Sequence, residues 1–241
     1  MVQKTSSFQI LSGSSLKIIA ILAMFIDHFA ASILYHGILL PAAPISPGSP
    51  EWTIYQIYDA MRFIGRIAFP IFCFSLVEGF FYTSNRKKYA IRLFLFALLS
   101  EFPFDLAIFQ TPLTWDYQNV FFTLLIGFAT IWIIENNKYS AYAIPLQMIC
   151  ILAGCAISYA LRTDYDYHGI LLIVILYYFR YNRCLQTIAG CISLLWEAPA
   201  CLAFIPLNMY NGKRGLPMKY FFYAFYPLHL LIFGIILQIV F

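Results

Sequence analysis

Long apolar stretches separated by short polar segments dominate the sequence. A membrane-spanning helix needs about 20 predominantly apolar residues. Three stretches meet this requirement without any Asp, Glu, Lys or Arg: residues 117–134, 139–161 and 220–241. Five further stretches are shorter or are interrupted by charge: residues 16–35, 60–82, 89–109, 169–179 and 184–207. The pattern predicts an all-α fold, a polytopic transmembrane helical bundle of about eight spans (about six to nine), as a single domain over residues 1–241 without a soluble domain.

The connecting segments support this arrangement and suggest an orientation. Residues 40–50 contain four prolines and a glycine, which predicts an irregular loop. Loops 36–59 and 110–116 contain no Lys or Arg, whereas the turn at 85–88 is basic. The positive-inside rule therefore places that turn and the N-terminus in the cytoplasm.

Loop 208–219 does not fit this orientation. It carries Lys213, Arg214 and Lys219, yet eight simple spans place it on the outer side. Either the preceding segment, which is interrupted by Trp196-Glu197-Ala198-Pro199, is re-entrant, or the loop is basic because it binds a ligand. The sequence leaves both explanations open.

The composition excludes several classes of protein. Hydrophobic residues make up 62% of the chain and charged residues only 11%, against about 45–50% and about 25% in soluble domains. Too few charges remain to cover a water-facing surface, which excludes a soluble globular protein, a disordered protein and nucleic-acid binding as a main role. The six cysteines show no spacing typical of a zinc site, so no metal is expected.

Several ionisable residues lie inside the predicted spans, where they are expected to be functional or tightly paired. The depth of each residue along its predicted span, counted at 1.5 Å of rise per residue, predicts one polar layer in the outer half of the bundle. Its members are Asp27, His28, Arg62, Arg66, Glu101, Asp105, His168 and Glu197. The inner end is predicted to be basic, with Glu78 as its only acid. Its cations are Lys17, Arg86, Lys87, Lys88, Arg92, Arg180 and Arg183.

Lys17 and His28 share one face of the first span. Their positions differ by eleven, which is three helical turns and about 16 Å along the axis. A phosphate at Lys17 and a reactive group at His28 could thus belong to one extended molecule such as an acyl-CoA. His28 has the chemistry of a general base, or it is a buried histidine bonded to a neighbouring helix. Lys17 is also explained by simple snorkelling to the interface.

The remaining candidates have two interpretations each. Asp27 lies about 100° around the helix from His28, so we expect another partner for it, such as Arg66. The pairs Arg62/Arg66 and Glu101/Asp105 form either ion pairs between helices or part of a site. His229, beside Pro227, serves packing or chemistry. The run 211–215 (Asn-Gly-Lys-Arg-Gly) offers glycine-flanked cations for a phosphate, or is a plain turn.

At this point the sequence resembles the TraX family, over most of the chain from about residue 14 onwards. The motifs that carry the resemblance are Ile26-Asp27-His28, Gly65-Arg66-Ile67-Ala68-Phe69-Pro70, Glu78-Gly79-Phe80, Asn85-Arg86-Lys87-Lys88, Ser100-Glu101-Phe102-Pro103-Phe104-Asp105, Asn119-Val120-Phe121-Phe122, Tyr167-His168-Gly169, Asn211-Gly212-Lys213-Arg214-Gly215 and Tyr226-Pro227-Leu228-His229.

That family is named for a conjugation protein required for N-terminal acetylation of pilin, and it is grouped with transmembrane acyltransferases that use cytosolic acyl-CoA. Their basic residue–ten residues–histidine pattern matches Lys17 and His28. The resemblance therefore implies His28 as the catalytic histidine and Lys17 as a donor contact. The pattern usually has Arg where this chain has Lys17, so the bidentate fork of a guanidinium is lost. A bacterial cytoplasmic (inner) membrane is the implied location.

The leading hypothesis is a membrane-embedded acyltransferase that takes an acetyl group from acetyl-CoA (acyl-CoA). The acceptor is a hydroxyl or amine of a protein N-terminus, a glycan or a small molecule, at or beyond the outer half of the bilayer. We assign catalysis to His28 and Asp27. The donor contacts are assigned to Lys17, Arg86, Lys87, Lys88, Lys213 and Arg214. Substrate contacts or shaping of the site are assigned to Arg62, Arg66, Glu78, Glu101, Asp105, Asn119, His168, Glu197 and His229.

Two alternatives belong to other functional classes. A proton-coupled transporter could use Asp27, His28, Glu101 and Asp105 as a proton relay. A membrane assembly factor for pili or surface structures would need these charges only as structural pairs.

Overall fold

The computed structural model describes residues 8–241. These residues form helices joined by short connectors, and the described part of the chain has no β-sheet. In chain order the helices are α1 (Gly13–Phe29), which continues as a π-helix (Ala30–Leu39), α2 (Pro50–Gly65), α3 (Ala68–Tyr82), α4 (Arg86–Ile108), α5 (Val120–Asn137), α6 (Ala143–Ala160), α7 (Asp166–Tyr178), α8 (Arg183–Ser193), a 3-10 segment (Leu195–Ala203), α9 (Phe204–Asn208) and α10 (Lys219–Val240).

Five of the described helical stretches are long and apolar enough to cross a bilayer. They are α1 with the π-helix, α2 with α3, α5, α6 and α10. Helix α7 is apolar but has only 13 residues, and α4 contains several charged residues. The predicted all-α transmembrane bundle is confirmed, and the protein is a membrane protein.

Two predicted boundaries are wrong. Helix α2 begins at Pro50, so residues 50–59, which the pattern assigns to a loop, are helical. The predicted single span over 184–207 is divided, because α8 ends at Ser193 after 11 residues and the 3-10 segment that follows contains Pro199 and a non-helical Glu197. Helix α8 is therefore about 16 Å long, roughly half the thickness of the hydrocarbon core.

The described residues form two compact units. The first comprises the chain up to Ile71, Phe102–Thr114 and Ile205–Phe241. It contains α1, the π-helix, α2 and α10. The second comprises Phe72–Glu101 and Trp115–Phe204, and in it α5, α6 and α7 pack against one another.

In the first unit, α1 and α10 run in the same direction. Lys17 lies over the ring of Phe222 near the start of both helices, and Gly37 lies beside Phe241 at their far ends. Helix α2 packs against α1, and Gly65 lies so close to α1 that a Cβ there would be 2.6 Å from Cγ of Asp27. The crossing therefore requires glycine at position 65.

Candidate functional site

Loop 209–216 lies against the start of α1. The N–H groups of Gly13 and Ser14 donate to the carbonyls of Lys213 and Arg214 at 2.8 and 3.0 Å, and a parallel bridge pairs residues 11 and 210. The loop is thus at the same end of the first unit as the start of α1, not at the far end where eight simple spans place it. The interruption of segment 184–207 agrees with the re-entrant explanation.

The same loop brings cations to the end of α1. Lys213 and Arg214 are exposed, and Arg214 is close enough to Lys17 for their charges to repel each other. The Lys17 ammonium lies 5.5 Å from the centroid of the Phe222 ring. These three cations, Lys17, Lys213 and Arg214, are called the basic cluster below. Three of the predicted donor contacts therefore lie at one end of the first unit.

His28 and His229 are joined by a hydrogen bond between α1 and α10. Nδ1 of His28 lies 2.7 Å from Nε2 of His229, and the two rings are nearly parallel at 7°. Nδ1 of His229 lies 2.6 Å from the carbonyl oxygen of Phe225. The structure thus brings together two histidines that the sequence places in separate motifs.

These contacts determine where the protons of the neutral pair reside. A carbonyl oxygen can only accept a hydrogen bond, so Nδ1 of His229 carries the proton that it donates to Phe225. In a neutral imidazole the other nitrogen is then an acceptor, so Nε2 of His229 accepts a hydrogen bond from Nδ1 of His28. Neutral His28 therefore has its lone pair on Nε2, and this atom makes no hydrogen bond within residues 8–241.

The surroundings of the two histidines differ. His229 is 4% exposed and lies among the rings of Phe25, Phe225 and Phe233. His28 is only partly buried, and Tyr226 meets its ring edge-on at 5.7 Å between centroids. The arrangement thus fixes one histidine inside the protein and leaves a basic nitrogen on the other.

Asp27 bonds to arginines rather than to His28. Its two carboxylate oxygens accept hydrogen bonds from Arg62 at 2.6 Å and from Arg66 at 3.1 Å, both supplied by the α2 side of the crossing. The expected partnership with Arg66 is confirmed. Because adjacent helical residues point about 100° apart, Asp27 faces α2 while His28 faces α10.

The acids of α4 have separate partners. Asp105 is fully buried and accepts a hydrogen bond from the backbone N–H of Thr114 at 2.7 Å, because the chain turns back soon after α4 ends. Within the described residues it forms no ion pair with Arg62, which pairs with Asp27 instead, so the alternative of ion pairing between the helices does not apply to these two residues. Glu101 lies in the second unit and accepts a hydrogen bond from the side-chain amide of Asn119.

Asn119 has a structural role at the start of α5. Its side-chain oxygen accepts a hydrogen bond from Phe121 N–H at 3.0 Å, which caps the helix. Its amide nitrogen also donates to the Ala97 carbonyl at 2.8 Å. Asn119 therefore fixes the start of α5 to α4.

The predicted basic end of the second unit contains structural contacts. Arg180 bonds to Glu78 at 2.7 Å, and both side chains are mostly buried. Arg86 lies 4.0 Å from the centroid of Phe80 and acts electrostatically on Glu135. The sequence predicted Glu78 as the only acid near these cations. That prediction is wrong, because Glu135 also lies near Arg86. Lys87 and Lys88 are exposed at the start of α4.

Near the start of α7, aromatic rings collect around His168, whose ring centroid lies 4.4 Å from that of Trp196. The neighbouring Glu197 is at the break in the 3-10 segment. The hydroxyl of Tyr117 donates to Asp164 at 3.0 Å. Burial, together with this carboxylate, raises the pKa of Tyr117, so the phenol remains a donor.

Two parts of the site could not be found by listing ionisable residues. The Phe225 carbonyl fixes the proton on His229, and Gly65 allows α2 to approach Asp27. The sequence did contain a signal for the close approach at Gly65, since a glycine inside an apolar helix often marks close packing. A backbone carbonyl gives no signal of its own in a sequence.

Comparison with known proteins agrees with the resemblance. The chain matches the family model described as TraX protein over residues 12–237, a range that includes the basic cluster and both histidines. The probable fimbrial assembly protein FimC, serogroup H1, of Dichelobacter nodosus is 30% identical over 251 residues, which cover 91% of this chain and 93% of that protein. No solved structure matches the chain.

Proposed function

The chain belongs to the TraX family, and from this premise we propose that it is a membrane-embedded acyltransferase, specifically an acetyltransferase. The observation that carries the proposal is the hydrogen bond from His28 to His229, which leaves Nε2 of His28 as an unoccupied base. A general base must have its lone pair directed at the proton that it removes. A histidine that served packing alone would need no such fixed tautomer.

His28 performs the proton transfers of the proposed step. Its Nε2 takes the proton from the acceptor hydroxyl or amine while the acceptor oxygen or nitrogen bonds to the thioester carbonyl carbon. The carbon–sulfur bond then breaks, and Nε2 returns the proton to the departing sulfur. The acceptor gains the acyl group, a free thiol leaves, and nothing is oxidised or reduced.

The distance from the basic cluster to His28 suits a long donor such as acyl-CoA. The thioester of that co-substrate supplies the activated acyl group. Residues 17–28 all lie in the regular part of α1, so Lys17 and His28 share one face about 16 Å apart along the axis. Lys17 would hold a phosphate of the donor while His28 is at the reactive end.

We place the protein in a bacterial cytoplasmic membrane with its N-terminus inside. The basic cluster is at the start of α1, and the positive-inside rule assigns that end to the cytoplasm, where acyl-CoA is available. A cysteine at position 213 should then react with a membrane-impermeant maleimide only from the cytoplasmic side, and one at position 46 only from the other side. Labelling of both from one side would contradict the orientation.

The acceptor is proposed from the relative's name. Because the Dichelobacter nodosus protein is called a probable fimbrial assembly protein, a component of a surface fibre is the first acceptor to test. A hydroxyl and an amine both satisfy the chemistry of His28.

The test uses His28→Asn, because the asparagine amide can still donate to His229 from about the position of Nδ1 while the base is lost. Membrane vesicles containing the full-length protein receive labelled acetyl-CoA, and transfer of label to macromolecules is followed. Loss of a general base lowers the rate by about 100-fold or more. His36→Asn should have little effect, because the hydrogen bond that His36 makes among the described residues is to the Ile108 carbonyl. Wild-type transfer in His28→Asn would refute the role of His28.

A non-enzymatic assembly factor is the second candidate, favoured by the name of the same relative. In that case fibre assembly in cells would be normal with His28→Asn, and no label would be transferred by the wild type. A proton-coupled flux in proteoliposomes without any acyl transfer would instead favour a transporter.

A further inference from the structure

No acidic side chain among the described residues neutralises the basic cluster. Lys17, Lys213 and Arg214 form no ion pair in the described part of the chain. The sequence explains why, since no Asp or Glu occurs before Asp27 or after Glu197. Asp27 itself is about 15 Å deeper along α1 than Lys17 and is bonded to Arg62 and Arg66.

Two cations of this cluster, Lys17 and Arg214, lie near each other despite the repulsion between their charges. Such repulsion lowers stability unless a counter-ion offsets it. The fold opposes this repulsion with backbone bonds from Gly13 and Ser14 to the carbonyls of the same loop.

The loop that presents the cations is built from residues specific to its shape. The side-chain oxygen of Asn211 accepts a hydrogen bond from the Lys213 N–H at 2.9 Å, which closes the turn. Gly215 has a positive φ of 74°, and a Cβ there would lie 2.9 Å from Cβ of Ser12. Ser14 accepts a hydrogen bond from the Leu216 N–H at 3.0 Å. None of these contacts uses the side chains of Lys213 or Arg214, which remain available to a ligand.

We propose that Lys17, Lys213 and Arg214 form a phosphate-binding site at the start of α1. The cluster offers a guanidinium, which binds two phosphate oxygens at once, and two ammonium groups, which act as point charges. Such a phosphate has two sources, the nucleotide part of a coenzyme A thioester or the headgroup of an anionic phospholipid. The nucleotide source rests on the proposed function, whereas the lipid source does not.

Snorkelling of lysine to the membrane surface does not account for this arrangement. Snorkelling requires only that each cation reach water, and any surface loop with a basic composition would provide that. It does not require two distant parts of the chain, residues 11–14 and 209–216, to be joined by backbone hydrogen bonds with the cations at the junction.

The test replaces the two loop cations by glutamine in the full-length protein, as Lys213→Gln with Arg214→Gln. Coenzyme A binding is measured by calorimetry in nanodiscs of phosphatidylcholine alone. The matched control is Lys138→Gln with Arg162→Gln, which removes the same charge from two cations that already pair with acids. Separately, thermal unfolding of each protein is compared in phosphatidylcholine discs with and without phosphatidylglycerol.

A nucleotide site predicts coenzyme A binding at least about tenfold weaker in the loop variant, because a lost charge-assisted hydrogen bond is equivalent to about one decade in affinity. The control should bind like the wild type. A lipid site predicts unchanged coenzyme A binding, with phosphatidylglycerol raising the unfolding temperature of the wild type and control but not of the loop variant.

The proposal is overturned if coenzyme A binding and the phosphatidylglycerol effect are both the same in the loop variant and the control. His28→Asn separates this result from the proposed function, since it should bind coenzyme A normally whether or not it transfers an acyl group. Normal transfer by His28→Asn would therefore contradict the acyltransferase mechanism and leave the phosphate site standing.

Discussion

Replacing His229 by phenylalanine removes the acceptor to which Nδ1 of His28 donates. The aromatic contacts of this position with Phe25 and Phe233 are largely kept, so the packing of α1 against α10 should survive. His28 is then free to carry its proton on Nε2. In that tautomer Nε2 has no lone pair with which to take the proton of the substrate that receives the acyl group. We expect a lower rate of acyl transfer without a weaker binding of the donor.

The magnitude follows from the one hydrogen bond that His28 loses. A neutral hydrogen bond contributes about 0.5–1.5 kcal/mol net, and about 1 kcal/mol of preference for the correct tautomer corresponds to about a fivefold change in rate. This is far smaller than the loss of about 100-fold or more expected for His28→Asn. The contrast distinguishes a residue that positions the base from the base itself.

The assay measures kcat and KM for acetyl-CoA in the wild type, His229→Phe and His229→Gln. Glutamine can place its amide oxygen near the position of Nε2 and accept from His28, so His229→Gln should recover most of the rate. Solid-state NMR of protein labelled with 15N-histidine reads the tautomer directly, with the proton of His28 on Nδ1 in the wild type. A wild-type proton on Nε2, or an unchanged kcat in His229→Phe, would refute the reasoning.

Two further predictions concern stability, measured by unfolding in detergent. Gly65→Ala inserts a Cβ 2.6 Å from Cγ of Asp27, and we expect the overpacking to lower the free energy of unfolding by about 1–3 kcal/mol; no change would mean that α1 and α2 can separate at this crossing without loss. Glu78→Gln weakens the mostly buried ion pair with Arg180 and should lower the free energy of unfolding by about 1.5–3 kcal/mol. Arg162→Gln affects a pair whose side chains are 66% and 85% exposed, and it should change the free energy of unfolding by less than about 1 kcal/mol. Equal effects of Glu78→Gln and Arg162→Gln would contradict the conclusion that the first ion pair is buried and the second is exposed.

The alignment of Lys17 with His28 was predictable because it depends only on local periodicity. An apolar stretch without Pro or Gly between these residues forms a regular helix, and α1 is α-helical throughout residues 13–29. The start of α2 was predictable as well, since Pro50 follows Ser49 and precedes Glu51, which is typical of a helix start. The prolines of the preceding loop concealed that signal.

The partner of His28 could not be predicted, because 201 residues separate His28 from His229. Periodicity describes the face that a residue occupies but not which distant helix packs against that face. The same limitation applied to loop 208–219, whose position depends on whether each preceding segment crosses the membrane. Because residues 184–207 were counted as one full span, loop 208–219 was placed at the wrong end.

The C-terminal segment contributes to both ends of the proposed site. Loop 209–216 supplies Lys213 and Arg214 beside Lys17, and α10 supplies His229 beside His28. Because α10 runs parallel to α1 and begins soon after the loop, the two groups of residues meet α1 at different heights, near Lys17 and near His28. The contacts themselves are separate, since the loop is bonded to the backbone of α1 and His229 to a side chain. Substitutions at the loop cations should therefore weaken binding of the donor, and substitutions at His229 should slow the transfer step.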